Sequence, residues 1–286
     1  MAAAESIVNG YGVSTKQGHD KQPLAPGVAV HEKRAMTKRP AGKPTRAGGG
    51  RRRPLQPGTP QWWATRAVPV RQRRRSDGLD RERIVRTAIA MVDRGGLEDL
   101  SMRRLADELG TGTATLYRHL PSREVILVEA LDLILGEVGD AVPASRRGWR
   151  GEIEAVAGAL RATLLRHPSL TPLFASSRAL NGPNALAGRE RILAILRRAG
   201  LDAATTVAAY LALVHYVVGF AFTEAGDRTR VGDPAPDELR RFYAGLDRGA
   251  LPSTVHLAAR LADRDADREF AFGLRLMLDG LERAVG

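Results

Sequence analysis

Residues 203–226, AATTVAAYLALVHYVVGFAFTEAG, constrain this chain more than any other stretch. Wound as a helix, they are hydrophobic on nearly every side except at His215 and the polar ends. A helix of that kind has to be covered all round. Its Ala and Thr content and its polar ends argue against a membrane span, which needs about 20 predominantly apolar residues. The cover must therefore come from other helices of this chain or from a second copy of it.

Those other helices are legible from Leu79 onward. In 81–94, Ile84, Val85, Ala88, Met91 and Val92 recur at helical spacing, and Gly95-Gly96 stops the run. Ser101 reads as an N-cap for MRRLADELG, in which Leu105, Ala106 and Leu109 share a face and Gly110 ends the helix. Ser122 caps a longer helix carrying Val125, Ile126, Val128, Leu131, Ile134, Leu135 and Val138. Residues 149–166 place Trp149, Ile153, Val156, Leu160 and Leu164 on one stripe and stop at His167-Pro168. A short helix fits 169–178, Pro183 opens another that runs to Arg198, and Asp202 caps the apolar helix. Residues 225–236 read as a loop, 237–246 as a short helix, 247–266 as poorly patterned, and 268–283 as a last helix apolar on more than one face. Nothing in 79–286 signals a strand, so the expected fold class is all-α. Two late helices with several apolar faces exceed the needs of one small core. They predict a homodimer with a two-fold, four-helix interface.

Charge divides the chain differently. The net charge is +12, with 16 basic and 4 acidic residues in 1–78 and an even balance after that. Residues 1–78 are rich in Gly, Pro, Lys and Arg with no apolar period, and such a segment is expected to be a disordered basic tail. Its clusters are Lys33-Arg34, Arg51-Arg52-Arg53 and Arg71-Gln72-Arg73-Arg74-Arg75, and Trp62-Trp63 interrupts it. An inert tail and a non-specific nucleic-acid arm both fit, since arginines exchange counterions for phosphates. Translation from Met36 or later would also be consistent with the sequence. The chain has no Cys, which excludes disulfides and thiol chemistry. Its six His show no i, i+4 pair and no HExxH, and no G-x-S-x-G is present. These features point away from an enzyme, a metal site and a cofactor, and with no secretory leader the expected location is cytoplasmic.

The segment TATLYRHLPSREVIL, 113–127, is the functional clue. Residues 113–118 predict a helix too short to stand alone, because nucleation costs more than one or two turns return. Leu116 anchors it inward, which leaves Thr113, Thr115, Tyr117, Arg118 and His119 facing out. A helix before it (102–109), the turn Gly110-Thr111-Gly112, and flanking helices at 81–94 and 123–138 complete a helix-turn-helix. That motif lays its second helix in the DNA major groove. Thr, Tyr and His suit phosphates and base edges. Arg103, at the start of the first helix, and Arg123, where free backbone N–H groups also favour an anion, are further candidate contacts.

Residues 79–138 resemble the N-terminal domain of the tetracycline-repressor (TetR) family. The signature is Gly-Leu before LSMRRLADELG, then ATLYRHLPSREVIL. The resemblance implies an all-α homodimer that straddles a palindromic double-stranded DNA operator and a C-terminal domain that binds a small effector. It places operator contacts on Arg103, Thr113, Ala114, Thr115, Tyr117, His119 and Arg123. The implied domains are the tail at 1–78, the helix-turn-helix domain at 79–126, and an effector-binding and dimerisation domain at 127–286. VVGFAFTEAG after His215 is similar to the tetracycline-repressor branch, in which a Glu and a His hold a drug-bound metal. Here Thr223 takes the acidic position and Glu224 follows one residue later, about 100° round the helix. Recognition of a metal–tetracycline complex is therefore not expected, and His215 is expected to be a core or pocket residue. An effector pocket is expected among the helices of 149–224, lined by Leu164, Leu173, Phe174, Tyr210, Val214 and Phe220, with His215 and Glu224 as polar points. The reading is a repressor released by its effector. The alternatives are a ligand-responsive activator and a non-specific binder acting through the tail.

Overall fold

The computed structural model describes residues 55–66, 80–142, 148–175, 181–229 and 234–285. Among these residues the regular structure is entirely helical. A short helix α1, Pro60–Ala64, precedes the helix-turn-helix region of α2 (Arg81–Gly95), α3 (Met102–Glu108) and α4 (Thr113–His119). Then come α5 (Arg123–Ala141), α6 (Gly148–Arg166), α7 (Pro183–Arg198) and α8 (Ala203–Thr229). Three short helices, α9 (Pro236–Ala244), α10 (Pro252–His256) and α11 (Ala258–Ala262), lead to α12 (Ala266–Val285).

The caps fall where short polar side chains stand before apolar runs. Asp80, Ser101 and Ser122 accept backbone N–H bonds from Arg83, Arg104 and Val125 at 2.7, 3.2 and 3.2 Å. Asp202 accepts from the Thr205 amide at 2.8 Å ahead of α8. Gly96 and Gly110 turn the chain with φ of +79° and +64°, a region open to glycine at little cost.

One apolar core runs through these helices. It joins Ile84, Leu105, Leu116 and Leu120 of the small N-terminal unit to Ile126 and Ile134 of α5, and onward to Leu164, Leu196, Leu213 and Leu278. Helix α5 packs on α2 at one end and on α6 and α7 further along, and α8 packs on α6, α7 and α12. By length and composition α8 could cross a membrane. Its inward side is buried at Ala209, Leu213, Val217 and Ala221, while Val207, Leu211 and Phe222 stand exposed beside Phe272 and Leu276 of α12. An exposed apolar surface of this kind marks an interaction face.

The structure departs from the sequence reading in several places. Residues 55–66 were expected within a disordered tail, yet Thr59 caps α1, Pro60 opens it and Trp62 is 6% exposed. The Arg66 guanidinium lies 3.8 Å from the Trp62 ring centroid and pairs with Glu129 of α5 at 2.5 Å. One buried indole and one ion pair anchor a segment whose average composition resembles a tail. The rest of that tail, 1–54 and 67–78, lies outside the described residues. The boundary at 126/127 falls inside α5, a single continuous helix, so its two halves serve two domains. Helix α8 continues to Thr229, beyond the expected loop start, and the poorly patterned 247–266 contains α10 and α11.

Candidate DNA-reading face and ligand cavity

Helix α4 is held from behind. Leu116 and Leu120 are fully buried, as is Leu105 of α3. The turn between α3 and α4 closes with the Thr111 amide donating to the Ala106 carbonyl at 2.9 Å, and Gly112 is extended at φ −78°. The opposite side of α4 then faces solvent. Thr113, Ala114, Tyr117 and Arg118 are exposed, and Thr115 and His119 are half-buried beside them. Arg118 donates to the Thr115 hydroxyl at 3.2 Å. Of the nearby cations, Arg94 is paired with Glu108 at 2.8 Å and Arg104 with Asp99 at 2.6 Å. Arg103 is exposed with no ion pair among the described residues. The result is a narrow convex face of hydroxyls and cations, suited to phosphate and base-edge contacts.

Arg123 belongs elsewhere. Its Nε donates to the Leu100 carbonyl at 2.8 Å and its Nη2 to the Leu97 carbonyl at 2.6 Å. The sequence placed it on phosphate. In the structure its guanidinium staples the turn between α2 and α3 onto α5, taking the Leu97 carbonyl, which also accepts from the Leu100 amide at 3.2 Å, together with the Leu100 carbonyl.

The far half of α5 borders a cavity of about 380 Å³. Leu135, Gly136, Val138 and Gly139 form one wall, Val156 and Leu160 of α6 another, and Ala185, Gly188 and Ile192 of α7 a third. Tyr210, Val214 and Val218 of α8 close it, with Phe174 at one side. Polar groups are few. They are Asn184, Asp140, Arg191 and Arg189, the last of which donates to the Tyr210 hydroxyl at 3.3 Å. Of the expected effector residues, Phe174, Tyr210 and Val214 line this cavity. Leu164 is packed in the core and Leu173 against it. His215 is exposed, not a core or pocket residue. Phe220 and Glu224 border a separate, wider groove with Tyr216 and Tyr243. Phe220 meets Tyr216 at a tilt and Phe270 edge-on, and Glu224 takes a hydrogen bond from Arg161 at 2.8 Å. A helical period shows which residues face inward but not whether they meet a void or another side chain.

The cavity wall from α5 was missed. Its signal was present: Gly136 and Gly139 sit in a helix interior, where each costs roughly 0.5–1 kcal/mol relative to Ala. At Gly136 the space is used by α7, since a Cβ there would lie 3.1 Å from the Asn184 side chain. Four residues earlier, Asp132 of α5 is 4% exposed and caps α7 from outside. Its carboxylate accepts from the amides of Ala185 at 3.0 Å and Asn184 at 3.3 Å, and from the Asn184 side chain at 3.2 Å. Gly182 makes room for it, because a Cβ there would fall 2.1 Å from the Asp132 oxygen. Burial pushes the Asp132 carboxyl above its ordinary range, against the pull of those donors. One turn back, burial likewise raises Glu129, although Arg81 and Arg66 both reach it. Helix α5 is thus pinned to the N-terminal unit at one end and to the cavity wall at the other.

The comparisons agree with this geometry. Residues 84–130 match the family model described as bacterial regulatory proteins, tetR family, and 142–285 match the tetracyclin repressor-like C-terminal domain. The chain is 36% identical over 230 residues to the HTH-type transcriptional repressor DrrR1 of Streptomyces coeruleorubidus, covering 78% of this chain and 84% of that protein. It is 25% identical over 207 residues to the class C tetracycline repressor protein of Escherichia coli, covering 72% and 91%. Among solved structures it is similar to ActR of Streptomyces coelicolor in complex with actinorhodin, at 33% identity and a TM-score of 0.66, covering 73% of this chain and all of that one.

Proposed function

Since the chain belongs to the tetracycline-repressor (TetR) family of transcriptional regulators, we propose that it is a cytoplasmic repressor that grips a palindromic operator as a homodimer and releases it when a small molecule fills the α5–α8 cavity. One observation carries the reading: α5 has its first half in the core of the reading unit and its second half in the cavity wall. Val125 and Ile126 are buried with Leu116 and Leu120, and Leu135, Gly136, Val138 and Gly139 face the void. A ligand that seats best with α5 displaced moves α4 with it. Two such units must hold their recognition helices about 34–36 Å apart to enter successive major grooves. A ligand that prefers another spacing lowers operator affinity by its differential affinity for the two conformers.

The cavity's chemistry narrows the effector. Its walls are mostly aliphatic and glycine-lined, with the Arg189 guanidinium and the Tyr210 phenol at one point and Arg191, Asn184 and Asp140 elsewhere in the lining. That suits a mostly apolar ring system carrying an acidic or phenolic oxygen that would meet Arg189 and Tyr210. The ActR complex with actinorhodin supports a ligand-responsive reading of this fold. The class of these relatives, transcriptional regulators, supports a binding protein without catalytic chemistry.

The decisive experiment is selection of bound duplexes from a random pool by the full chain and by a chain lacking residues 1–54. The expected result is one palindrome from both. Recovery of unrelated sequences, with binding lost on removal of the leader, would instead identify a tail-driven, non-specific binder.

A further inference from the structure

His167 follows directly on α6 and meets three parts of the molecule. Its Nδ1 lies 2.8 Å from Oδ2 of Asp93, near the end of α2 in the reading unit. Its Nε2 lies 3.3 Å from Oε2 of Glu137, on the half of α5 that borders the cavity. The ring belongs to the segment that continues α6, whose Val156 and Leu160 line that cavity. The position is fixed by the backbone. The His167 carbonyl accepts from the Thr171 amide at 3.1 Å and from its buried hydroxyl at 3.1 Å, and the same hydroxyl donates to the Leu164 carbonyl at 2.7 Å. The imidazole itself is 10% exposed.

From this geometry we propose that His167 is the positioning residue through which the cavity wall holds the reading unit, and that its imidazolium form sets the operator-binding arrangement. The proposal rests on the repressor reading above and adds a regulatory group to it. An ionised carboxylate can only accept hydrogen bonds. A neutral imidazole carries one N–H and one lone pair, so it can serve one of the two carboxylates and must turn a lone pair on the other. Only the imidazolium donates to both. The charged groups facing the ring are Asp93 from α2, Glu137 from α5 and Arg166 from its own helix; the segment 171–175 supplies none. Arg166 donates to the same Glu137 oxygen at 2.9 Å. Burial pushes Glu137 up, but the hydrogen bonds from Arg166 and His167 outweigh it and hold that carboxyl below its ordinary value. Loss of the imidazole proton opens the bridge on the Glu137 side, where Arg166 remains as a partner. The junction then keeps one bond of two and carries one more negative charge. The reading unit is held less firmly once that proton is lost, so operator affinity falls as pH rises.

The test uses the full chain, and the share of its pH dependence that belongs to His167 is read as the difference from the His167→Gln and Asp93→Asn variants. The affinity of the chain for the duplex that it selects from a random pool is measured between pH 6.0 and 8.5. The expected result is a fall of about fivefold or more across that range. Either His167→Gln or Asp93→Asn flattens that fall. A role in packing alone would lower affinity equally at every pH and leave the slope intact. A slope that both substitutions leave unchanged overturns the proposal, and so does a parent protein without pH dependence. Should His167→Gln not fold, Asp93→Asn breaks the same bridge from a more exposed partner. A parent that selects no duplex overturns the repressor reading as well, which separates the two failures.

Discussion

Leu116 and Tyr117 adjoin in sequence and have opposite roles. Leu116 is fully buried, and Leu116→Ala is expected to cost about 2–5 kcal/mol of stability, read as an earlier thermal unfolding of the reading unit. Tyr117 is 50% exposed and contributes little to the core. Tyr117→Ala is expected to leave the melting temperature within a degree or two while weakening operator binding roughly ten- to hundredfold, the worth of one hydrogen bond to a charged group. Arg123 reverses that pattern. Its Nε and Nη2 both donate to backbone carbonyls, so Arg123→Ala is expected to destabilise the fold by about 2–3 kcal/mol. Were its effect confined to DNA affinity, with unfolding unchanged, the stapling role assigned to it would be wrong. The sequence identified all three as belonging to the motif. It did not separate a staple from a DNA contact, because an arginine at a helix start has donors enough for either.

At the scale of elements, α7 and α8 begin in contrasting ways. Asp202 caps α8 locally, and the amide and hydroxyl of Thr205 hold its carboxyl below the ordinary range. An acid with a lowered folded-state pKa stabilises the fold above its unfolded pKa, and that contribution is lost as pH falls. Asp202→Ala is therefore expected to lower the melting temperature at pH 7 and to have little effect near pH 2.5. Helix α7 starts with Gly182-Pro183 and has no cap of its own. Asp132, fifty residues away in sequence, does the work from α5. The Asp202 cap was legible because N-cap and helix are adjacent. The Asp132 cap was not, because a cap donated by another helix leaves no local pattern. The same limit applies to α1, where the exposed-looking Trp62 finds its pocket against distant residues.

For the whole molecule, the outward faces of α8 and α12 are the proposed dimer surface. Val207, Leu211, Phe222, Phe272 and Leu276 are each about half exposed or more in a single chain. Buried in a two-fold interface, an arginine at Phe222 or Leu276 would lack a partner, which costs several kcal/mol. Phe222→Arg with Leu276→Arg is expected to give a helical monomer by light scattering and circular dichroism, and to lose operator binding because half-sites are then read singly. A double variant that stays dimeric would place the interface elsewhere. The cavity offers a complementary test. Val214→Trp fills it from α8 and is expected to keep operator binding while losing release by whichever compound frees the unaltered protein.

The sequence by itself determined that this chain is helical from Leu79 onward, where most helices begin and end, and that 101–119 is a helix-turn-helix with a polar outer face. Periodicity, caps and glycines are local, and local signals survive in one dimension. Only the tertiary structure decided that Arg123 is a staple, that the cavity is walled by α5 as well as α6 to α8, that His215 lies outside it, and that His167 bridges the reading unit to the cavity wall. Each of these depends on how elements far apart in sequence pack against one another, and no spacing rule along the chain encodes that packing.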